Sequence, residues 1–228
     1  MALRLLAIDT TEDACSAALL IDQTVAERFE VAPRRHSELI LPMMDGLLAE
    51  AGLRLADLDA LGFARGPGAF TGVRIAASVI QGVAFGADLP VVPVSSLQAL
   101  AQGAHREHRA QAVLSAFDAR MGEVYWGVYR SDAGAIMRPV IDERVCAPQE
   151  VAPVNGQDWV GVGSGWAAYP TQLAQCCSVP PPVHADAMVH AQDVATIAAA
   201  LFGEGAAVVA ERALPVYLRN QVAWARPG

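Results

Sequence analysis

Arg65-Gly66-Pro67-Gly68-Ala69-Phe70-Thr71-Gly72-Val73-Arg74 is the stretch from which the fold can be read. An apolar run, Leu58 to Ala64, feeds into it, and a long Ala/Val/Ile segment, Val73 to Ala87, leaves it. That order predicts a strand, a glycine-rich turn and a helix. Glycines let backbone N–H groups converge on one point, and a helix start adds a partly positive charge. Gly66, Gly68, Thr71 and Gly72 are therefore candidates for holding an anion such as a phosphate. A tight turn into a buried helix is the other reading of the same residues. A Walker loop would end in Gly-Lys-Ser/Thr, which this stretch does not. All 16 basic residues are arginine. Without lysine, Walker chemistry, Schiff-base chemistry and a lysine nucleophile are excluded.

The chain has 228 residues and is 54% hydrophobic, enough for one large domain or two small lobes. Charged residues make up 18%, and alanine is abundant, so part of the surface is expected to be apolar and to suit a protein partner. A net charge of −8 argues against strong nucleic-acid binding by this chain alone. The start, Met1 to Asp9, reads as a buried strand rather than a secretory signal. No uncharged apolar run of the roughly 18 residues a membrane span needs is found; Ile75 to Ala87 comes nearest and is interrupted by Gln81. A cytoplasmic protein without a membrane association is expected. Cys15, Cys146, Cys176 and Cys177 lack metal-site spacing.

Strands are expected at 3–9, 14–21 and 24–31, forming an antiparallel meander. A helix at 37–51 follows, with Leu39, Ile40, Met43, Met44, Leu47 and Leu48 on one face, Ser37 as its cap and Gly52 as its end. Pro42 predicts a loose first turn or a kink. Strand 58–64, helix 72–87, strand 90–94 and a helix from Ser95-Ser96 to about 108 complete the order βββαβαβα. It then starts again: strands at 111–118, 123–130 and 135–145, a short helix at 148–152, strand 158–162, helix 166–177, a Pro-rich stretch in place of the last strand, and helix 191–202. Ala7-Ile8-Asp9 and Ala116-Phe117-Asp118 close matching strands, and glycine-rich turns recur at 66–72 and 161–165. The class is α/β, built from two lobes of about βββαβαβα with the second degraded, an ancient duplication. The division by connectivity is 1–109, 110–190 and a C-terminal part, 191–228, packing back toward the first lobe.

An Asp closing the first strand of each of two such lobes resembles the actin-like (ribonuclease H-like) ATPase superfamily. Five blocks narrow the resemblance: Ile8-Asp9-Thr10-Thr11; Arg35-His36-Ser37-Glu38 through Leu41-Pro42; Arg65 to Arg74; Asp118-Ala119-Arg120-Met121-Gly122-Glu123-Val124-Tyr125; and Pro215-Val216-Tyr217-Leu218-Arg219. Together they resemble the TsaB (YeaZ) family, scaffold proteins of tRNA threonylcarbamoyladenosine synthesis. One departure is Gly161 to Gly165, where relatives commonly carry an Asp. The related transferase, TsaD, holds its metal with a His-x-x-x-His motif; here that place reads Val94-Ser95-Ser96-Leu97-Gln98-Ala99. The resemblance therefore implies an accessory subunit with no catalytic residues and no metal site, activating a TsaD-like transferase alongside a TsaE-like ATPase. It implies pairing through helices 37–51 and 72–87, with His36, Glu38, Leu39, Met43, Leu47, Val73, Arg74, Ala76, Ala77, Ile80 and Ala84 at the interface. Those residues would be exposed in a free monomer, so a homodimer is expected when the partner is absent. No cofactor is required by this chain; ATP or ADP and metal belong to the complex, and tRNA is reached only through it.

Residue by residue, Asp9, Thr10 and Thr11 are candidates for orienting a metal or phosphate, or for a hairpin turn with an Asx-type hydrogen bond. Asp118, Arg120 and Glu123 form either a cleft-side charge group or a surface turn. His105 and His108 suit a plain helix end better than a metal site. His36 beside Ser37 invites a Ser–His nucleophile, but neighbours on a helix point in different directions. The rival functions are a small-molecule kinase or ATPase using Asp9 and the glycine loop, and a glycoprotease-like hydrolase.

Overall fold

The computed structural model describes residues 2–156 and 158–219. Alternating apolar runs of small and branched residues make β1 (Arg4–Asp9) and β2 (Ala14–Ile21) buried on both faces, whereas β3 (Thr24–Val31) alternates polar and apolar at the sheet edge. These three strands are antiparallel. β4 (Ala60–Ala64) and β5 (Val91–Val94) then add in parallel, giving the order β3-β2-β1-β4-β5. α1 (His36–Ala51) and α2 (Phe70–Ala87) cover one face of this sheet.

α3 (Ser96–His108) leads to the second sheet, built from β6 (Ala112–Arg120), β7 (Glu123–Ser131), β8 (Met137–Pro139), β9 (Arg144–Cys146), β10 (Trp159–Val162) and β11 (Val183–His184). Its order is β11-β10-β6-β7-β8, with β9 also on β7. β6, β10 and β11 are parallel, as β1, β4 and β5 are in the first sheet. The repeat of βββαβαβα is thus present and eroded in the second half. The strand expected at 135–145 is split into β8 and β9, because Pro139 has no N–H to extend the ladder. The helix expected at 166–177 is α4 (Ser164–Ala168) and α5 (Pro170–Ala174), broken where Pro170 forbids continuation.

α6 (Ala191–Gly203) closes the set, and the two repeats trade helices. α3, from the first repeat, packs on β6, β7, β8 and β10; α6, from the second, packs on β1, β2, β4 and β5. The two helices also touch each other. The division at 109 therefore follows the chain but not the packing. Both helices are rich in alanine, which lets them lie between two sheets; a Cβ on Gly62 would meet the Ala198 Cβ at 3.0 Å. Leu5 and Val92 of the first sheet, Leu100 of α3, Val113 and Tyr129 of the second sheet and Ile197 of α6 belong to one continuous core. An ion pair between Arg106, partly in solvent, and the buried Asp193 joins α3 to α6, with Arg106 Nε and Nη2 donating to the two carboxylate oxygens at 2.9 Å each.

Helix ends differ in detail from the sequence reading. Ser37 is not the cap of α1: Arg35 holds that position without a side-chain hydrogen bond, and Ser37 is exposed inside the first turn. Pro42 lies on the exposed side and the helix continues through it; Gly52 ends it at φ 67°. Ser95 caps α3, accepting a hydrogen bond from the Gln98 amide. α2 begins at Phe70, ahead of the expected residue 72. By length and composition α2 could cross a membrane. Its inner face is buried on the first sheet, which makes it a core helix here.

Candidate functional site

The carboxyl ends of the parallel strands in both sheets face a cleft of about 1230 Å³. Its walls include Thr11, Gly68, Phe117, Asp118, Ser164 and Tyr217. Asp9, at the end of β1, is fully buried beside it. Its Oδ1 accepts hydrogen bonds from the Thr11 hydroxyl at 2.6 Å and the Thr11 amide at 3.2 Å. Its Oδ2 has no partner among the described residues. Burial pushes this carboxyl up to about 7.

The glycine stretch is brought to the same place, where the β1–β2 turn packs against it. The Ala69 amide donates to the Thr11 carbonyl at 2.7 Å, and the Thr10 hydroxyl donates to the Gly72 carbonyl at 2.7 Å. A Cβ on Gly68 would stand 2.4 Å from the Thr11 oxygen, and one on Gly72 only 2.0 Å from the Thr10 oxygen. These glycines are needed because the β1–β2 turn lies directly against them. Gly68 and Gly72 thus gather with Thr10 and Thr11 beside Asp9, whereas Gly66 lies against Val73 and Val216, and Thr71 is exposed in the first turn of α2. Of the amides in the stretch read as an anion site, that of Ala69 is taken by the Thr11 carbonyl, while Gly68, Ala69 and Phe70 line the cleft. The second glycine turn is also closely packed: a Cβ on Gly163 would meet the Ala116 oxygen at 2.6 Å.

Glu12 escaped the sequence reading. It follows the turn and lines the cleft, where the Ser164 hydroxyl donates to its Oε1 at 3.3 Å across the gap between lobes. Desolvation first, and the nearby Asp9 second, push its carboxyl up to about 8. A run of Thr-Thr-Glu-Asp after a buried strand end was its only signal. Asp9 and Glu12 both have folded pKa values above the unfolded carboxylate range. Their contribution is full below about pH 4 and declines as pH rises through 7 to 8. Replacing both, Asp9→Asn with Glu12→Gln, is expected to flatten that decline between pH 5 and 9 by on the order of 5 kcal/mol, measured by urea unfolding. An unchanged pH slope would count against the assignment.

Of the expected charge group, Asp118 and Arg120 do pair, at 2.9 Å, on the β6–β7 turn. Glu123 pairs instead with Arg219. His36 is buried at the start of α1 and its Nε2 has no partner among the described residues, whereas Ser37 is exposed, so the two form no nucleophile pair. His105 Nδ1 lies 2.9 Å from the Ala110 carbonyl, and His108 stacks on His184 at 3.7 Å. Burial pushes the Cys15 thiol up to about 12, away from reactivity.

The expected pairing face needs correction. Met43, Leu47, Val73, Ala76, Ala77, Ile80 and Ala84, on the first sheet's helices, are all buried within their own chain, and His36 is buried at the start of α1. Their helical spacing records intramolecular packing, and the small side chains of α2 allow a close approach to β1 and β4. The outward face carries other residues. Phe85 is 75% exposed, Phe70 59% and Leu41 45%, with Leu39, Ile75 and Val79 half-buried and Glu38 and Arg74 in solvent. Large apolar side chains out of phase with the core stripe were the available signal.

Two glycine-turned α/β lobes around a shared cleft, with helices exchanged between them, define a protein of the actin-like class. The chain matches the family model described as TsaD, tRNA N6-adenosine threonylcarbamoyltransferase, over residues 23–225. It is 46% identical to the tRNA threonylcarbamoyladenosine biosynthesis protein TsaB of Escherichia coli (strain K12), over 99% of each chain. The TsaB protein of Haemophilus influenzae is 42% identical over 99% of this chain and 98% of its own. The crystal structure of YeaZ from Pseudomonas aeruginosa superposes with a TM-score of 0.89 at 46% identity, covering 95% of this chain and all of that one. The chain belongs to the TsaB (YeaZ) family.

Proposed function

We propose that this chain is a non-catalytic scaffold in the formation of N6-threonylcarbamoyladenosine on tRNA. It pairs with a TsaD-like transferase through the outward face of α1 and α2, with a second copy of itself taking that face when the transferase is absent. The observation that carries this reading is how closely the β1–β2 turn packs on the glycine stretch: the Thr11 carbonyl takes the Ala69 amide, and the Thr10 carbonyl lies directly against Gly72. A kinase or ATPase built on Asp9 and that loop is thereby disfavoured, and no paired nucleophile for a hydrolase is found among the described residues. What the chain retains is a large apolar face, which a soluble subunit covers with a partner. Nucleotide, metal and the TsaE-like ATPase belong to the assembled complex in this reading, and tRNA is met through it.

Phe85→Glu combined with Leu41→Glu, both at exposed positions, is expected to weaken binding to the transferase about a hundredfold, while the monomer keeps its melting temperature. Loss of the modified nucleoside in cells carrying only this variant would follow. Unaltered affinity by calorimetry would place the interface elsewhere, and turnover of ATP by the isolated chain would overturn the scaffold reading. Met43→Glu or Ala77→Glu would instead bury a charge, so they report on folding and not on pairing.

A further inference from the structure

After the single turn Ala210–Arg212 the chain runs across the mouth of the cleft and touches both lobes. On the first lobe, the Val216 amide donates to the Arg65 carbonyl at 2.8 Å, and a Cβ on Gly66 would meet the Val216 oxygen at 2.9 Å. Arg74 Nε donates to the Tyr217 hydroxyl at 3.0 Å while its guanidinium lies 3.6 Å from the centre of the Phe70 ring. On the second lobe, Arg219 Nε donates to Glu123 at 3.1 Å and its Nη2 to the Ala119 carbonyl at 3.1 Å. Arg219 thus grips the β6–β7 turn, and Tyr217 grips the start of α2.

The segment is tied by side chains more than by backbone. Among the described residues, the Val216 amide supplies the one backbone–backbone hydrogen bond that leaves 214–219 for another element. Beneath it, the Ser164 hydroxyl donates to Glu12 across this side of the cleft. A segment with few buried contacts and few backbone hydrogen bonds opens at low cost relative to the global fold. Tyr217 also packs against one side of Phe70 and Arg74, which stand on the outward side of α2.

We infer that residues 214–219 form a releasable strap that holds the two lobes at a fixed separation and competes with a partner for Phe70 and Arg74. Release opens the cleft and bares the amino-terminal end of the α2 face. The competition rests on the pairing reading above; the strap itself does not.

Hydrogen exchange on the full chain tests the strap. Arg219→Ala and Tyr217→Ala are each expected to speed amide exchange in the β6–β7 turn and in residues 10–13 about fivefold. Leu214→Ser, at an exposed position, is expected to leave both regions unchanged. Rates within about twofold of wild type in both variants would overturn the strap. Calorimetry with the TsaD-like transferase tests the competition: Tyr217→Ala is expected to bind about threefold more tightly, a small share of what a buried aromatic anchor contributes. Faster exchange with equal or weaker affinity would overturn the competition. A wild-type chain that does not bind the transferase would overturn the pairing reading, with the exchange experiment still deciding the strap.

Discussion

Gly72→Ala is expected to lower stability by about 3 kcal/mol, the upper end of the overpacking range. The added methyl would stand 2.0 Å from the Thr10 oxygen, with backbone on both sides of the clash. Relief requires moving either the β1–β2 turn or the first turn of α2. Either movement weakens the Thr10–Gly72 and Ala69–Thr11 hydrogen bonds together. For a chain of this size the loss corresponds to a fall in melting temperature of roughly 10 °C. Gly82→Ala and Gly86→Ala, in the same helix, meet nothing within 4 Å. They are expected to be neutral or to stabilise by about 0.5–1 kcal/mol through helix propensity. If all three variants melted alike, the close approach of turn and helix would be refuted.

Trp166→Ala is expected to cost about 4 kcal/mol, within the range for emptying a large aromatic site. The ring is 2% exposed, its Nε1 donates to the Leu114 carbonyl at 2.9 Å, and it tilts against Trp126 at 6.2 Å. It also lies over Gly161, where a Cβ would come within 2.6 Å of it. Removing the ring therefore empties the middle of the smaller core and leaves a buried carbonyl without its donor. The second sheet has short elements around that core, so little can move inward to refill the space. The pair also predicts non-additivity. Gly161→Ala alone is expected to destabilise, and to cost much less once Trp166 is alanine. Equal costs in the two backgrounds, read from urea midpoints, would contradict the contact.

The architecture was legible because its signals are local. Strand–glycine–helix at 58–87 and the matching aspartates at 9 and 118 were enough to suggest two related lobes. What the sequence did not disclose is where each helix lies. α3 is buried from Ser96 through Ala104 although Ser96, Gln98 and Gln102 are among those residues, so its composition tells neither that it is enclosed nor between what. The pairing face was misread for a related reason. Met43, Leu47, Ile80 and Ala84 repeat at helical spacing, and that spacing is identical whether the stripe meets its own sheet or another chain. Exposure distinguishes the two, and exposure depends on tertiary packing. The glycine turn shows the same ambiguity. Close approach of a phosphate and close approach of a neighbouring carbonyl both demand glycine, and the neighbour is supplied by a turn more than fifty residues away. Glu12 became noticeable only when Ser164, distant in the chain, was placed opposite it.

The exchange of α3 and α6 means that the two halves of the gene product are not separable parts. A fragment ending near residue 109 would keep the first sheet but lack the helix that roofs its second face, and would carry α3 with nothing to rest on. The complementary fragment would have the mirror problem. Each piece would bare a broad alanine- and leucine-lined surface matching the one its sibling bares. Mixed together, the halves have the means to reassemble by donating helices to one another, as two copies of an undivided ancestor would have done before their genes were joined.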